Sequence, residues 1–389
     1  MKILYISSPS FLDMDVSFVG SLGKKVECWF LLDIYPKLRK ATALNLEAAP
    51  DGSDIYPMTE FEGLKPFGAV MDLNRCHVIN RTSDNPLDKS NLLLQWKLYR
   101  FVRKIAPDIV HFNNQIYFTH FYLFLWPGRK LTSIHDPFPH SGEEHGTKSF
   151  SNRLYRWLNK TCVKHHLLYN DIMVDDYAAD RKIDKKRIVT SSLGPYEYLK
   201  IFKNQCSAIA SDFLFFGRIQ KYKGIDLLVE AFVQVLKKYP DATLVIAGFG
   251  DFWFDVDQYA IPAKNLTIIN RFITPSELAA LLHGTRVVVC PYRDASQSGV
   301  IMSAYAFYKP VVVTDVGALS QVVEDGDTGR IVPPNDMGAL AAAMDTFLTA
   351  EDSMPQAASQ IDRIYHKGDK SWDTITDKIL ITYGLILEV

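Results

Sequence analysis

The chain has 389 residues, 48% of them hydrophobic and 22% charged, with a formal net charge of −1. At about 100–200 residues per domain that length implies two domains, and the composition excludes a disordered or fibrous chain. So small a net charge gives no sign of a nucleic-acid partner.

Taken in chain order, Met1 to Ser7 is too short an apolar run for a signal peptide and lacks a cleavage site, and Lys2–Ser7 reads as a strand. Further strands are expected at Val26–Leu32, Asp108–Phe112, Leu131–His135 and Arg187–Thr190. Before Pro107 a helix carries Leu94, Leu98, Phe101, Val102 and Ile105 on one stripe, whereas residues 40–90 show no regular pattern. The longest apolar run, Phe118 to Trp126, is broken by His120 and ended by Pro127-Gly128, well below the roughly 18 residues of a bilayer span. The chain is thus expected to be soluble or peripheral. Its five cysteines (Cys28, Cys76, Cys162, Cys206 and Cys290) are scattered, odd in number and form no C-x-x-C pair. Neither a disulfide framework nor a zinc site is indicated, which suits the cytoplasm.

The polar stretch Phe202–Ala210 reads as a boundary, after which the alternation restarts. Strands are expected at Asp212–Gly217, Thr243–Ala247, Leu266–Ile269, Val287–Cys290, Pro310–Val313 and Gly329–Val332. One helix has Ile225, Leu228, Val229, Phe232, Val235 and Leu236 at helical spacing. Another opens with Thr274-Pro275-Ser276-Glu277, a capping box with proline at the first helical position. Short strands alternating with helices indicate α/β architecture with parallel sheets. The expected organisation is a Rossmann-like domain over 1–203, a second over 204–367, and a helix over 368–389 crossing back onto the first.

Two segments carry the chemistry. Phe216-Gly217-Arg218-Ile219-Gln220-Lys221-Tyr222-Lys223-Gly224 leaves a strand at the carboxyl edge, where open α/β sheets bind ligands. Arg218 and Lys223 lie five apart across that loop and both could reach one diphosphate, the first as a planar fork and the second as a point charge. The bland alternative is a solvated basic loop. Ala295-Ser296-Gln297-Ser298-Gly299-Val300 opens a helix, with Ser298 as cap and Gly299 giving access to free backbone N–H groups. Such an N-terminus favours phosphate, although an ordinary strand–helix turn has the same appearance. His135 ends a first-half strand beside Asp136 and can bond a sugar or simply hold a neighbour. His140, His145, His165 and His166 are weaker candidates. Arg153, Arg156, Lys160 and Lys164 stand at helical spacing beside Leu154 and Trp157, either a solvated face or a contact for an anionic membrane. Residues 1–200 carry 27 Lys+Arg against 22 Asp+Glu, and the remainder 16 against 22, which leaves room for an anionic acceptor or membrane near the first half.

From about Phe213 to Pro334 the chain resembles glycosyltransferase family 4, retaining enzymes of the GT-B fold; the likeness is looser over residues 1–200. Its carriers are Gly217-Arg218 with Lys223-Gly224, Ala247-Gly248-Phe249-Gly250, Asn270-Arg271-Phe272, Pro291 to Gly299, Lys309 to Gly317, and Glu324-Asp325-Gly326 with Thr328-Gly329. The resemblance implies two Rossmann-like domains facing across a cleft and a nucleotide-sugar donor, with UDP-sugars the first expectation. It further implies a glycan or lipid-linked acceptor and no metal or other cofactor. By the same resemblance Gly217, Arg218 and Lys223 hold the donor diphosphate, backbone at Arg271 and Phe272 holds the base, Gln297, Ser298, Gly299 and Val300 meet the donor sugar and phosphates, and His135 faces the reacting sugar.

Three departures stand out. Two glutamates common in the family fall on Ala295 and Ser303 here; Asp294 is one residue from the first, and Ser303 could bond a ribose hydroxyl. The glycine-rich loop usual after the first strand is replaced by Ser8-Pro9-Ser10. Asp175-Asp176 resembles the metal-holding acidic pair of the other large glycosyltransferase fold, but such pairs are common on surfaces. The missing glutamates keep open a silent nucleotide-sugar-binding scaffold, and the shared fold plan keeps open a nonhydrolysing nucleotide-sugar epimerase. Conversion of the donor without acceptor, or donor binding without transfer, would mark each.

Overall fold

In a computed structural model the described residues are 1–40, 46, 50–114, 120–124, 126–135, 157, 159–295, 298–349 and 353–388. Among them fourteen strands form two sheets. In the first, β1 (Lys2–Ser7), β2 (Glu27–Ile34), β3 (Asp54–Pro57), β4 (Cys76–Asn80), β5 (Ile109–Asn113), β6 (Arg129–Ile134), β7 (His165–Leu168) and β8 (Ile188–Thr190) lie in the order β3-β4-β2-β1-β5-β6-β7-β8. All pairings are parallel except the edge strand β3 against β4. Ile3, Leu4 and Tyr5 are all inaccessible, as continuous apolar strands covered on both faces require.

In the second sheet β9 (Ser211–Phe216), β10 (Leu244–Gly248), β11 (Leu266–Asn270), β12 (Thr285–Cys290), β13 (Val311–Thr314) and β14 (Gly329–Val332) are all parallel, in the order β11-β10-β9-β12-β13-β14. This is the 3-2-1-4-5-6 arrangement of doubly wound sheets, which opens a ligand crevice where the order reverses, between β9 and β12. In the first sheet the order reverses between β1 and β5.

The helices are α1 (Leu12–Leu22), α2 (Pro36–Lys40), α3 (Lys89–Ile105), α4 (Phe121–Phe124), α5 (Val174–Arg181), α6 (Ile225–Lys238), α7 (Pro275–Gly284), α8 (Gly299–Ala306), α9 (Met337–Thr349), α10 (Ser353–Ile361) and α11 (Trp372–Glu388). The expected capping box opens α7: Thr274 Oγ1 accepts from the Glu277 N–H at 3.3 Å, and Glu277 accepts from the Thr274 N–H at 2.9 Å.

The chain divides into two compact units between Gly194 and Pro195 and again between Ser371 and Trp372. The first boundary falls earlier than residue 203, because Tyr196 already donates to the Met302 carbonyl at 3.1 Å and the Glu197–Phe202 turn packs on α7 and α8. Helix α11 packs on α1 within the first unit. Ser21 bonds Trp372 and Thr376, Lys25 pairs with Asp373 at 2.8 Å and Asp377 at 2.6 Å, and the Tyr383 hydroxyl meets His111 Nδ1 at 2.6 Å.

Strands β3, β4 and β7 had no counterpart in the sequence reading. Edge strand β3 is half-exposed and ends in proline, which erases both the alternation and the apolar run. Strand β7 begins with His165 and His166. His166 is buried, its Nδ1 is 3.2 Å from the Tyr177 hydroxyl, and burial pushes its pKa down to about 4.

Candidate functional site

In the second unit β9 ends at Phe216, and Gly217 and the basic loop follow before α6 begins. Two features fix its path. Gly224 has φ +66°, and a β-carbon there would stand 1.9 Å from the Pro291 carbonyl oxygen, so only glycine lets the loop close onto the end of β12. Arg293, just beyond that strand, donates its N–H to the Tyr222 carbonyl at 2.7 Å. Its guanidinium forks onto Asp226 at 2.7 and 2.9 Å and also reaches the Lys221 carbonyl and Asn335 Oδ1, each at 3.0 Å. Burial alone would raise the Asp226 pKa, but Arg293 outweighs it and holds the carboxyl below its ordinary value.

The loop thereby presents its two cations differently. Arg218 is exposed, with its guanidinium 3.4 Å from the Tyr222 hydroxyl. Lys223 is half-buried with Nζ 3.7 Å from the centre of the Tyr292 ring, whose face favours a cation. A β-carbon built at Gly217 would lie 4.0 Å from Val300 Cγ2, so the root of the loop adjoins the first turn of α8.

Ser298 caps α8 in an extended conformation yet forms no side-chain cap bond. It is 7% exposed and its hydroxyl has no hydrogen-bond partner among the described residues. The buried Tyr292 hydroxyl lies beside it, likewise without a bond of good geometry. Two buried, unpaired hydroxyls at the positive end of a helix are an arrangement that an anion completes.

Other expected residues stand differently. At Gly299 the space of a side chain is filled by the Tyr196 ring, 2.9 Å from where a β-carbon would be, so packing requires this glycine. Ser303 is buried and donates to the Gly299 carbonyl at 3.0 Å. Ala295 is buried and Asp294 half-buried, while Gln297 lies outside the described residues. The Arg271 side chain forks onto Glu277 at 2.6 and 2.9 Å, bracing the α7 cap. Phe272 stacks on Phe249 with centroids 4.9 Å apart and planes 12° from parallel, both rings about half exposed after β11 and β10. Phe249, Tyr292 and Arg293 lie within the segments that carry the resemblance, but the sequence assigns none of them a role. The Gly-Phe-Gly at 248–250 was the available sign for Phe249, whereas Tyr292 and Arg293 act through contacts that only the fold creates.

In the first unit His135 follows β6, sandwiched between Phe11 (4.3 Å, 21°) and Tyr169 (4.7 Å, 30°). Its Nε2 is 2.6 Å from Asn113 Oδ1. Asn113 turns its amide nitrogen to Asp15 at 2.7 Å and Ser7 at 3.3 Å, so its oxygen faces the imidazole and Nε2 must carry the proton. Burial pushes the His135 pKa down to about 3, leaving the ring neutral at pH 7. Asp15 also accepts from Tyr5 at 2.8 Å, and the whole set lies where β1 and β5 diverge.

Asp175 and Asp176 lie in the first turn of α5, where Asp175 pairs with Lys185 at 2.7 Å. Among the described residues no three His, Cys, Asp or Glu side chains cluster in a way that could hold a metal. Lys160 and Lys164 are exposed, whereas Asp136, His140, His145, Arg153, Leu154 and Arg156 lie outside the described residues. No helix among the described residues is long and apolar enough to cross a membrane.

With this geometry in place, the comparisons locate the chain among known proteins. Residues 210–350, all within the second unit, match the model of the family described as glycosyl transferases group 1. An uncharacterized glycosyltransferase of Methanocaldococcus jannaschii is 26% identical over 219 residues, 53% of this chain and 55% of that protein. The chain spans about half the length of the curated relatives it matches, or less. Anabaena HepE in complex with UDP superposes with a TM-score of 0.67 at 16% identity, covering 99% of this chain and 100% of that one. A UDP-GlcNAc 2-epimerase from Neisseria meningitidis, bound to UDP-GlcNAc, does so at 0.60 and 12%, over 99% and 100%. The fold is GT-B, two α/β units with parallel sheets.

Proposed function

We propose that this chain is a retaining glycosyltransferase that takes a sugar from a nucleoside diphosphate donor, UDP-sugars foremost, and passes it to a glycan or lipid-linked saccharide. The observation that supports the reading is the loop of Arg218 and Lys223 rooted at Gly217 beside the first turn of α8, whose cap Ser298 has a buried hydroxyl with no bond partner among the described residues, at the switch point of the second sheet. In the reaction the bond from the donor's anomeric carbon to the diphosphate breaks and its electron pair leaves on the phosphate. The acceptor oxygen bonds to that carbon and gives up its proton. The growing negative charge falls where two cations and free helix N–H groups are held in advance, which lowers the barrier without a metal.

The Phe249–Phe272 stack offers an aromatic surface for the base, beside the backbone of Arg271. Asp294 accepts from donor-sugar hydroxyls in place of the missing glutamate, and Ser303, with its proton on Gly299, has only acceptor capacity for a ribose. UDP held by Anabaena HepE supports the choice of donor. Retention, the acceptor class and metal independence rest on the family resemblance.

The test is release of nucleoside diphosphate from a panel of UDP-, GDP- and ADP-sugars with saccharide acceptors, with and without EDTA. Acceptor-dependent release that persists in EDTA is the expected outcome. Loss of turnover in EDTA with recovery on adding manganese overturns metal independence, and conversion of the donor sugar without acceptor overturns the transferase reading.

A further inference from the structure

We propose that the outer face of α3 docks the first unit onto an anionic lipid bilayer. The inner stripe of this helix, Leu94, Leu98, Val102 and Ile105, is buried in the core of the unit, so its opposite side must face outward. That side is not the usual polar face of a core helix. Leu92, Leu93 and Trp96 are 45%, 57% and 52% exposed, and Leu87, just before the helix, is 63% exposed. One turn further on the same side becomes basic, with Lys97, Arg100, Arg103 and Lys104 all exposed. At 3.6 residues per turn Leu92, Leu93, Trp96, Arg100 and Arg103 share an arc of about 100°. The helix therefore has an apolar end and a cationic end on one surface.

The charge identifies the occupant. Helix α3 carries five basic residues, Lys89 being the fifth, and no acid. The acid at its cap, Asp88, accepts from the Ser90 N–H at 2.8 Å and the Ser90 hydroxyl at 2.6 Å. Lys97 meets Asp54 at 2.6 Å, an exposed contact of little strength. A row of Lys and Arg with long apolar stems fits phosphate headgroups, and the exposed leucines fit the acyl boundary beneath them. Trp96 lies over Tyr99 (5.9 Å, 21°) and against Tyr122 of α4 (6.3 Å, 72°), a Trp–Tyr cluster of the kind that settles at the level of headgroups. This surface owes nothing to the transferase reading.

The experiment is co-sedimentation of the full chain with vesicles of phosphatidylcholine containing phosphatidylserine, and with phosphatidylcholine alone. The intact protein binds the anionic vesicles, and less so as salt rises. The triple variant R100Q/R103Q/K104Q loses on the order of 10²-fold in partitioning, and L93S/W96S loses about tenfold or more. The melting temperature of R100Q/R103Q/K104Q stays put, since those side chains are exposed, and that of L93S/W96S falls only slightly, as the Trp96–Tyr99 contact is lost. Quenching by brominated anionic lipid that disappears in Trp96→Phe places the indole at the membrane. Equal binding to both vesicle types, or anionic binding that neither variant weakens, overturns the proposal. So does self-association that L93S/W96S abolishes in a protein that ignores vesicles, because the face is then a protein interface.

Discussion

In the first unit, the groups gathered where β1 and β5 diverge are buried and occupied with one another: Tyr5 and Asn113 donate to Asp15, and Asn113 accepts from His135. In the second unit, the groups at the corresponding place between β9 and β12 are cationic, partly open and incompletely bonded. The same sheet plan thus supports a buried polar frame in one half and, in the proposed function, an anion cradle in the other. The lesson is where to look for energy on ligand binding. A network bonded mostly within itself, with only Asp15 Oδ2 left over, contributes shape, whereas unpaired donors at a helix terminus gain their bonds only when a ligand arrives.

The strongest way to break the comparison is through the two cations. Arg218→Ala and Lys223→Ala should each lower kcat/KM by about 10²–10³, roughly 2.7–4 kcal/mol of lost transition-state stabilisation, as steady-state kinetics would read. Arg218 is exposed, so its replacement leaves the melting temperature unchanged, whereas Lys223→Ala also surrenders the contact with Tyr292. Unchanged kinetics in both variants would reduce the loop to a solvated basic turn.

The frame is tested through pH. Burial, opposed by bonds from Ser7, Tyr5 and Asn113, raises the Asp15 pKa to about 8. The folded chain then keeps a proton that the unfolded chain has lost, so this group's contribution to stability is complete near pH 4 and declines as pH rises toward 8, by about 1.4 kcal/mol per unit. Asp15→Asn retains an acceptor for Tyr5 and Asn113 but does not titrate. Its stability advantage over the native chain, from denaturant titrations between pH 5 and 8, should grow with pH. A constant difference would show that Asp15 is ionised in the fold.

Much of the second unit was legible in the sequence because its strands are short, apolar and punctuated. The capping box at Thr274 and the glycines at 217 and 224 belong to local geometry that a few consecutive residues determine. Strand β4 stayed hidden because Cys76-His77-Val78-Ile79-Asn80 has neither clean alternation nor a long apolar run. The place of His135 at a strand end is legible in sequence, but that of Asp15 beside Asn113 is not, since 98 residues separate the two. Arg293 shows the same limit: in sequence it is one more basic residue, and only the approach of β12 to the 218–224 loop makes it the brace that shapes the cradle.

The smallest expected effect is also the most discriminating, because it separates a helix cap from a ligand contact at one atom. An ordinary Ser→Ala change at an N-cap costs about 0.5–2 kcal/mol, since the hydroxyl had satisfied a backbone N–H. Ser298 satisfies none, and its buried hydroxyl sits beside that of Tyr292 without a bond. Removing it from the free protein therefore gives up no cap and relieves a desolvated polar group, so Ser298→Ala should melt at the same temperature or slightly higher. With nucleoside diphosphate bound the hydroxyl would gain its partner, and the variant should lose about 0.5–1.5 kcal/mol of affinity, a roughly 2- to 13-fold rise in Kd by titration calorimetry. A lower melting temperature with unchanged affinity would mean that Ser298 is a plain cap and that the diphosphate binds elsewhere. A parallel loss in both would leave Arg218 and Lys223 to carry the anion without the helix. Only stability kept and affinity lost matches a cradle whose last bonds are made by its ligand.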